Sequence, residues 1–191
     1  MMDNRLHGSI PPDIGSTLPN LTFFAISENN FTGVIPTSFS NMSKLETLQL
    51  QKNNFVGSVP DNLGDIRSLK HLYLGGNNLG NGQTNDLRFI NSLVNCTNLE
   101  GLLAGDNNLG GVLPNSTANL TANLVRLVLE NNKNFGSVPS GIQNLVGLLG
   151  LHLGNNLLTG SIPSDIGNLQ NLGRLDLGRN IFSGLIPILF R

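Results

Sequence analysis

Cysteine is almost missing from this chain. Cys96 stands alone among 191 residues, so no intrachain disulfide and no cysteine-based zinc site can form. Tryptophan is absent and Tyr73 is the single tyrosine. Charge is scarce as well: 12% of residues are charged and the net charge is −1. That excludes the basic stripe of a nucleic-acid binder and the polybasic segment of a membrane-surface protein. No apolar run approaches the roughly 18 residues of a membrane-spanning helix, so this segment itself is expected to make no membrane contact. The opening MMDNRLHGSI has no apolar core and reads as carrying no export signal. His7, His71 and His152 share no metal-binding spacing, and neither a phosphate-binding loop nor a nucleophile elbow occurs. The acids are scattered. We expect no catalytic residue, no metal site and no cofactor.

What the chain has in excess is glycine, 23 residues, and asparagine, 29 residues, both formers of turns. They recur in register. The string NNFTGVIP at 29–36 returns as NNFVGSVP at 53–60, NNLGGVLP at 107–114, NLLTGSIP at 156–163 and NIFSGLIP at 180–187. NRLHGSIP at 4–11 and NKNFGSVP at 132–139 are looser copies. The leading asparagines are Asn4, Asn29, Asn53, Asn77, Asn107, Asn132, Asn156 and Asn180, spaced by 25, 24, 24, 30, 25, 24 and 24 residues. Ahead of each but the first runs L-x-x-L-x-L-x-x, as in LETLQLQKN at 45–53, with Phe24 and Ala104 as apolar departures.

The spacing dictates the structure. L-x-L has a period of two and predicts a short strand. A three-residue strand cannot bury its own apolar face, so successive strands must stack about 4.8 Å apart into one parallel sheet over a shared core. The asparagine ends the strand, and its amide both donates and accepts, which predicts a buried ladder bonding turn backbone in its own and the neighbouring repeat. The glycine of G-x-I-P permits backbone that a Cβ would obstruct, and the proline removes an N–H. A short helical or 3-10 turn follows, with Phe39, Met42, Leu63, Ile66, Ile142, Leu145, Ile166 and Leu169 pointing inward. Narrow strands on one side and bulkier turns on the other force curvature.

One repeat departs from the period. Residues 77–106 form a long irregular repeat in which polar residues 81–86 replace G-x-I-P. Leu87, Ile90, Leu93 and Val94 then fall at helical spacing, which predicts a two-turn convex helix with Asp86 as its N-cap. Cys96 behind it reads as a small buried hydrophobe, with no base or cation nearby in sequence.

The repeat resembles the plant-type leucine-rich repeat, L-x-x-L-x-L-x-x-N-x-L-x-G-x-I-P, across essentially all of residues 1–191. The resemblance implies an α/β repeat solenoid: a horseshoe of seven to eight repeats, the first and last incomplete, with a concave parallel β-sheet and convex 3-10 or short helical turns. The irregular repeat narrows the likeness. Asp86, Phe89, Ser92, Leu93, Asn95, Cys96, Thr97 and Leu99, followed by Gly111, Pro114, Ser116, Ala118, Asn119 and Leu120, are similar to the mid-ectodomain of plant receptor-like kinases. The group in question includes the elongation-factor-Tu receptor and related rice resistance receptors.

This likeness implies a segment of a receptor-like kinase or receptor-like protein on the extracellular side of the plasma membrane, in immune or developmental signalling. The kinase itself is absent from this chain, and so are cysteine-paired caps. The implied partners are a peptide or protein ligand on the concave face and a co-receptor ectodomain, with no nucleic acid. On the concave face the outward columns read Phe23, Thr47, His71, Gly101, Arg126, Gly150, Arg174 and Ala25, Gln49, Tyr73, Leu103, Val128, His152, Asp176. Tyr73, Leu103 and Val128 are expected to form an exposed apolar strip. Phe23, Gln49, His71, Arg126, His152, Arg174 and Asp176 complete the candidate ligand-binding set. Six Asn-x-Ser/Thr sequons, at Asn20, Asn30, Asn41, Asn95, Asn115 and Asn119, are candidate glycosylation sites suited to an extracellular surface. Two other uses of the same repeat are a secreted enzyme inhibitor, like the plant polygalacturonase inhibitors, and an ice-binding protein. The first implies capping cysteines and no 30-residue repeat. The second needs a regular outward row of Thr, Ser or Asn, whereas these columns mix Tyr, His, Leu and Asp.

Overall fold

The computed structural model describes residues 1–187; the closing ILFR of the last incomplete repeat lies outside the described residues. Seven three-residue strands form one parallel sheet: Phe23–Ala25, Thr47–Gln49, His71–Tyr73, Gly101–Leu103, Arg126–Val128, Gly150–His152 and Arg174–Asp176. Their middle residues, such as Leu48, Leu72, Leu102 and Leu127, point into a core that runs the length of the array and that also takes up Phe24 and Ala104. The opposite side is made of 3-10 turns, among them Thr37–Asn41, Asp61–Asp65 and Ser164–Asn168, together with two short α-helices, Ile14–Thr17 and Phe89–Leu93. Phe39, Leu63, Ile142 and Ile166 from these turns are buried in the same core. The predicted solenoid, with a parallel sheet on one side and 3-10 turns on the other, is the architecture found.

The structure adds a feature that the repeat pattern concealed. The residues after each asparagine form a second row of parallel strands, including Asn30–Gly33, Asn54–Gly57, Lys133–Gly136 and Leu157–Gly160. Their alternation is masked because the strand is short, begins beside asparagine and ends on glycine. This row is broken by the irregular repeat into two four-stranded sheets, whereas the seven-stranded sheet passes through unbroken.

The asparagines join the repeats. The Oδ1 atom of Asn53 accepts the Phe31 N–H at 3.0 Å, and its Nδ2 donates to the carbonyls of Ile26 at 3.0 Å and Leu50 at 3.2 Å. Asn156 does the same with the Asn134 N–H at 2.9 Å and the carbonyls of Leu129 at 2.9 Å and Leu153 at 3.2 Å. Asn107 carries the pattern across the irregular repeat, accepting from Leu79 at 3.0 Å and donating to Leu74 at 3.1 Å. Asn29, Asn77, Asn132 and Asn180 also accept an N–H from the preceding repeat. Asn4 is exposed and donates to the Met2 carbonyl at 2.8 Å, so it does not share the buried setting expected of it. Replacing Asn156 by Ala strands the buried Asn134 N–H and is expected to cost about 1–3 kcal/mol. A melting temperature no lower than that of the exposed control Asn98→Ala would contradict a ladder that carries stability.

Each ladder asparagine follows a residue in the left-handed region. Glu28, Lys52, Asp106, Asn131, Asn155 and Arg179 all have φ between 52° and 56°, and Gly76 takes the same place at 68°. For residues other than Gly and Asn this conformation costs roughly 1 kcal/mol, a cost met by the asparagine bonds that require it.

In the irregular repeat the expected two-turn helix is shorter, Phe89–Leu93, and Asp86 is not its N-cap. The Asp86 carboxylate turns the other way. Its Oδ2 accepts the N–H groups of Asn81 at 3.0 Å, Gly82 at 2.9 Å, Gln83 at 3.0 Å and Gly110 at 2.9 Å. The polar insert needs an internal acceptor for these donors, and that need outweighs a helix cap (Gly110 belongs to the next repeat and is buried). Cys96 is buried behind the helix, and its thiol donates to the Ile66 carbonyl at 3.4 Å. Burial, helped by the nearby carboxylate of Asp65, pushes this thiol up to about 11, which leaves it protonated and unreactive at neutral pH.

Candidate functional site

Parallel register sets the outward residues in columns. Ala25 pairs with Gln49, Gln49 with Tyr73, Tyr73 with Leu103, Leu103 with Val128, Val128 with His152 and His152 with Asp176. The neighbouring column runs from Phe23 through Thr47, His71, Gly101, Arg126 and Gly150 to Arg174. All ten candidate ligand-binding residues therefore lie on one sheet face.

Their exposure is uneven. Phe23, Arg126, Arg174 and Asp176 are exposed, whereas Tyr73, Leu103 and Val128 are half-buried rather than forming the exposed strip expected. The cause is glycine. A Cβ on Gly101 would lie 3.0 Å from the Tyr73 ring and 3.5 Å from Leu103, and one on Gly105 would lie 3.4 Å from Val128. The apolar side chains lie down over bare backbone and cover part of one another. The His71 ring sits 5.6 Å from that of Tyr73 and its Nε2 faces the Glu100 carboxylate at 3.8 Å.

Two depressions result. The first, about 230 Å³, is floored by Tyr73, Leu103 and Val128 and edged by Gln51, Lys52 and Asp106. The second, about 510 Å³, lies between Arg126 and Arg174 and includes Leu149, His152 and Asn171. Of these lining residues, Gln51, Leu149 and Asn171 were not legible from the L-x-L columns, because they come from the segments entering and leaving each strand. Two ion pairs flank the sheet at opposite ends of its strands, Lys52 to Glu28 beyond the strand ends and Lys70 to Glu46 before the strand starts, each at 2.9 Å. The bond that Lys70 donates to the Glu46 carboxylate raises the pKa of its ammonium above the ordinary value. The six sequon asparagines are all exposed. Among the described residues no helix is long and apolar enough to cross a membrane.

The comparisons agree with this geometry. Leucine-rich-repeat family models match residues 3–79, 123–145 and 147–169, more than half of the chain. The receptor kinase-like protein Xa21 of rice (Oryza sativa subsp. japonica) is 50% identical over 70 residues, which is 37% of this chain and 7% of the relative. The LRR receptor-like serine/threonine-protein kinase EFR of Arabidopsis thaliana is 48% identical over 69 residues, 36% of this chain and 7% of that protein. Among solved structures, the plant peptide hormone receptor RGFR1 in complex with RGF2 superposes with a TM-score of 0.90 at 35% identity, covering 98% of this chain and 29% of that one. The HAESA ectodomain of Arabidopsis in complex with an extended IDA peptide gives 0.89 at 38% identity, covering 97% and 30%. A plant ice-binding protein, at 22% identity and a TM-score of 0.67, shares the fold alone. The matched segment spans 7% of the length of each of these curated relatives. With its repeats, its sheet and these relatives in agreement, the chain belongs to the leucine-rich-repeat proteins, and its array is similar to those of plant receptor kinases.

Proposed function

We propose that this array is a ligand-recognition segment of a plant cell-surface receptor, binding a peptide or protein ligand along the seven-stranded sheet and facing a co-receptor ectodomain. The observation that carries the reading is the half-buried apolar floor of Tyr73, Leu103 and Val128 set in a charged rim. It offers an extended chain both a dry contact and polar anchors. Support comes from RGFR1 and HAESA, whose ectodomains are seen with the peptides RGF2 and IDA, and from a HAESA structure containing both IDA and the co-receptor SERK1. The array itself has a non-catalytic fold; kinase activity would belong to a longer protein like the curated relatives. Six exposed sequon asparagines suit an extracellular location. Secretion from a plant host followed by glycosidase treatment tests it, and an unchanged mass would count against that location.

The binding test uses a panel of synthetic peptides titrated against wild type, Tyr73→Ala, Arg126→Ala and the convex control Lys44→Ala. Aromatic anchors often contribute about 2 kcal/mol or more, roughly thirtyfold in affinity. Peptides that bind wild type should lose about that factor with Tyr73→Ala, weaken with Arg126→Ala and be untouched by Lys44→Ala. Melting temperatures should stay nearly level. A loss confined to Lys44→Ala would move the binding face to the convex side.

A further inference from the structure

We propose that Glu130, His152 and Asp176 form a binding site for a divalent transition-metal cation of the zinc(II) class on the sheet face. The sequence hides the group, because its members are 22 and 24 residues apart and match no local metal motif. The solenoid brings them together. His152 pairs in register with Asp176, and Val128 pairs with His152. Glu130 lies two residues beyond Val128 and therefore on the same face. One donor atom from each of the three residues lies within 4.8 Å of the others.

Three observations favour a cation over a simple cluster of surface charges. The donor set, two carboxylates and an imidazole, suits zinc and its neighbours rather than calcium or magnesium. The His152 Nδ1 and Glu130 Oε2 atoms are 3.7 Å apart, too far for a direct hydrogen bond. Donors around one zinc at about 2.1 Å lie roughly 3–3.5 Å apart, so drawing together three donors that lie within 4.8 Å of one another, by up to about 1.5 Å, completes three ligands. Among the described residues, neither carboxylate has a lysine or arginine partner within 4.0 Å, and a dication would neutralise both.

The surrounding backbone makes room for this arrangement. A Cβ on Gly154 would lie 2.6 Å from the Asp176 Oδ2, and one on Gly150 would lie 3.3 Å from the His152 Nε2. Both side chains thus rest on bare glycine. The Asp176 Oδ1 accepts the Gly178 N–H at 2.9 Å, which fixes the carboxylate while leaving Oδ2 free among the described residues. Three protein donors leave at least one coordination position open toward the groove. A bound ion would tie three consecutive repeats together and present a Lewis-acidic point to anything lying along the sheet.

The test is calorimetric titration of the chelator-treated array with zinc chloride, alongside His152→Gln, Asp176→Asn, Glu130→Gln and the controls His7→Gln and His71→Gln. We expect one zinc per chain, at least tenfold weaker binding in each of the three site variants, and no change in either control. The imidazole signals of His152 should shift in step with occupancy. These residues lie on the surface, so circular dichroism should show all variants folded. Equal affinity in every variant would mean an adventitious ion only and overturn the proposal. So would an absence of binding at millimolar zinc.

Discussion

Asp86→Ala should be among the most damaging single substitutions in the array, lowering stability by about 3 kcal/mol. One carboxylate oxygen accepts four backbone N–H groups, three in the polar loop at 81–83 and one on buried Gly110. Bonds to a charged acceptor are stronger than neutral ones, and a donor left buried without a partner keeps its full desolvation cost. The loop donors can turn to water when the carboxylate is removed; Gly110 cannot. Asp86→Asn keeps an acceptor oxygen at the same place and should lose about 1 kcal/mol. Thermal unfolding of both variants, with hydrogen exchange at 79–86 and 110, measures the effect. An Asp86→Ala protein that melts with wild type and keeps its protection at Gly110 would show that the four bonds carry no weight.

Gly64→Ala should cost a similar amount, about 3 kcal/mol, by a steric route. Gly64 lies in the convex turn Asp61–Asp65, on which the helix Phe89–Leu93 rests. A Cβ at this position would lie 2.6 Å from the Ser92 Cβ and closer still to the Ser92 carbonyl, which is backbone and cannot swing aside. The helix must shift as a unit, and Phe89, Ile90 and Leu93, all fully buried, must shift with it. Gly173→Ala is the control, since the nearest atom to its added methyl would be the Leu149 carbonyl at 3.7 Å. Equal melting temperatures for the two variants would mean that the helix has slack to give.

The L-x-x-L-x-L pattern made the seven-stranded sheet, its register and its outward columns legible, because the period of two and the repeat of 24 leave a single way to bury the leucines. The asparagine at the strand end announced its amide chemistry. The second row of strands was not legible, since glycine and asparagine within it carry no apolar alternation. Nor was the true partner of Asp86. Its position before an apolar helical stretch fits an N-cap, and only the fold shows that loop donors and Gly110 lie nearer. At the candidate binding face the columns were legible but the exposure was not. Whether Tyr73 stands up or lies down depends on Gly101 in the next repeat, 28 residues away. For the same reason no local reading could join Glu130, His152 and Asp176.

The break in the second row of strands bears on how the array comes apart. In a stacked repeat protein each unit is held chiefly by its two neighbours, so the free energy of separating adjacent units need not be uniform along the chain. Among the repeats led by Asn29 to Asn77, and again among those led by Asn107 to Asn180, each pair is joined by two strand pairings, one on each side of the asparagine, and by the asparagine itself. Between the repeats led by Asn77 and Asn107 the outer strand pairing shrinks to two backbone bonds, from the Asn108 N–H to the Leu79 carbonyl and from the Gly82 N–H to the Asn108 carbonyl, each at 2.8 Å. The junction also holds the pairing of His71–Tyr73 with Gly101–Leu103, the bonds of Asn107 and the reach of Asp86 to Gly110. That makes residues 80–109 a natural boundary between two cooperative unfolding units, and Asp86 is one of the groups that couple the two.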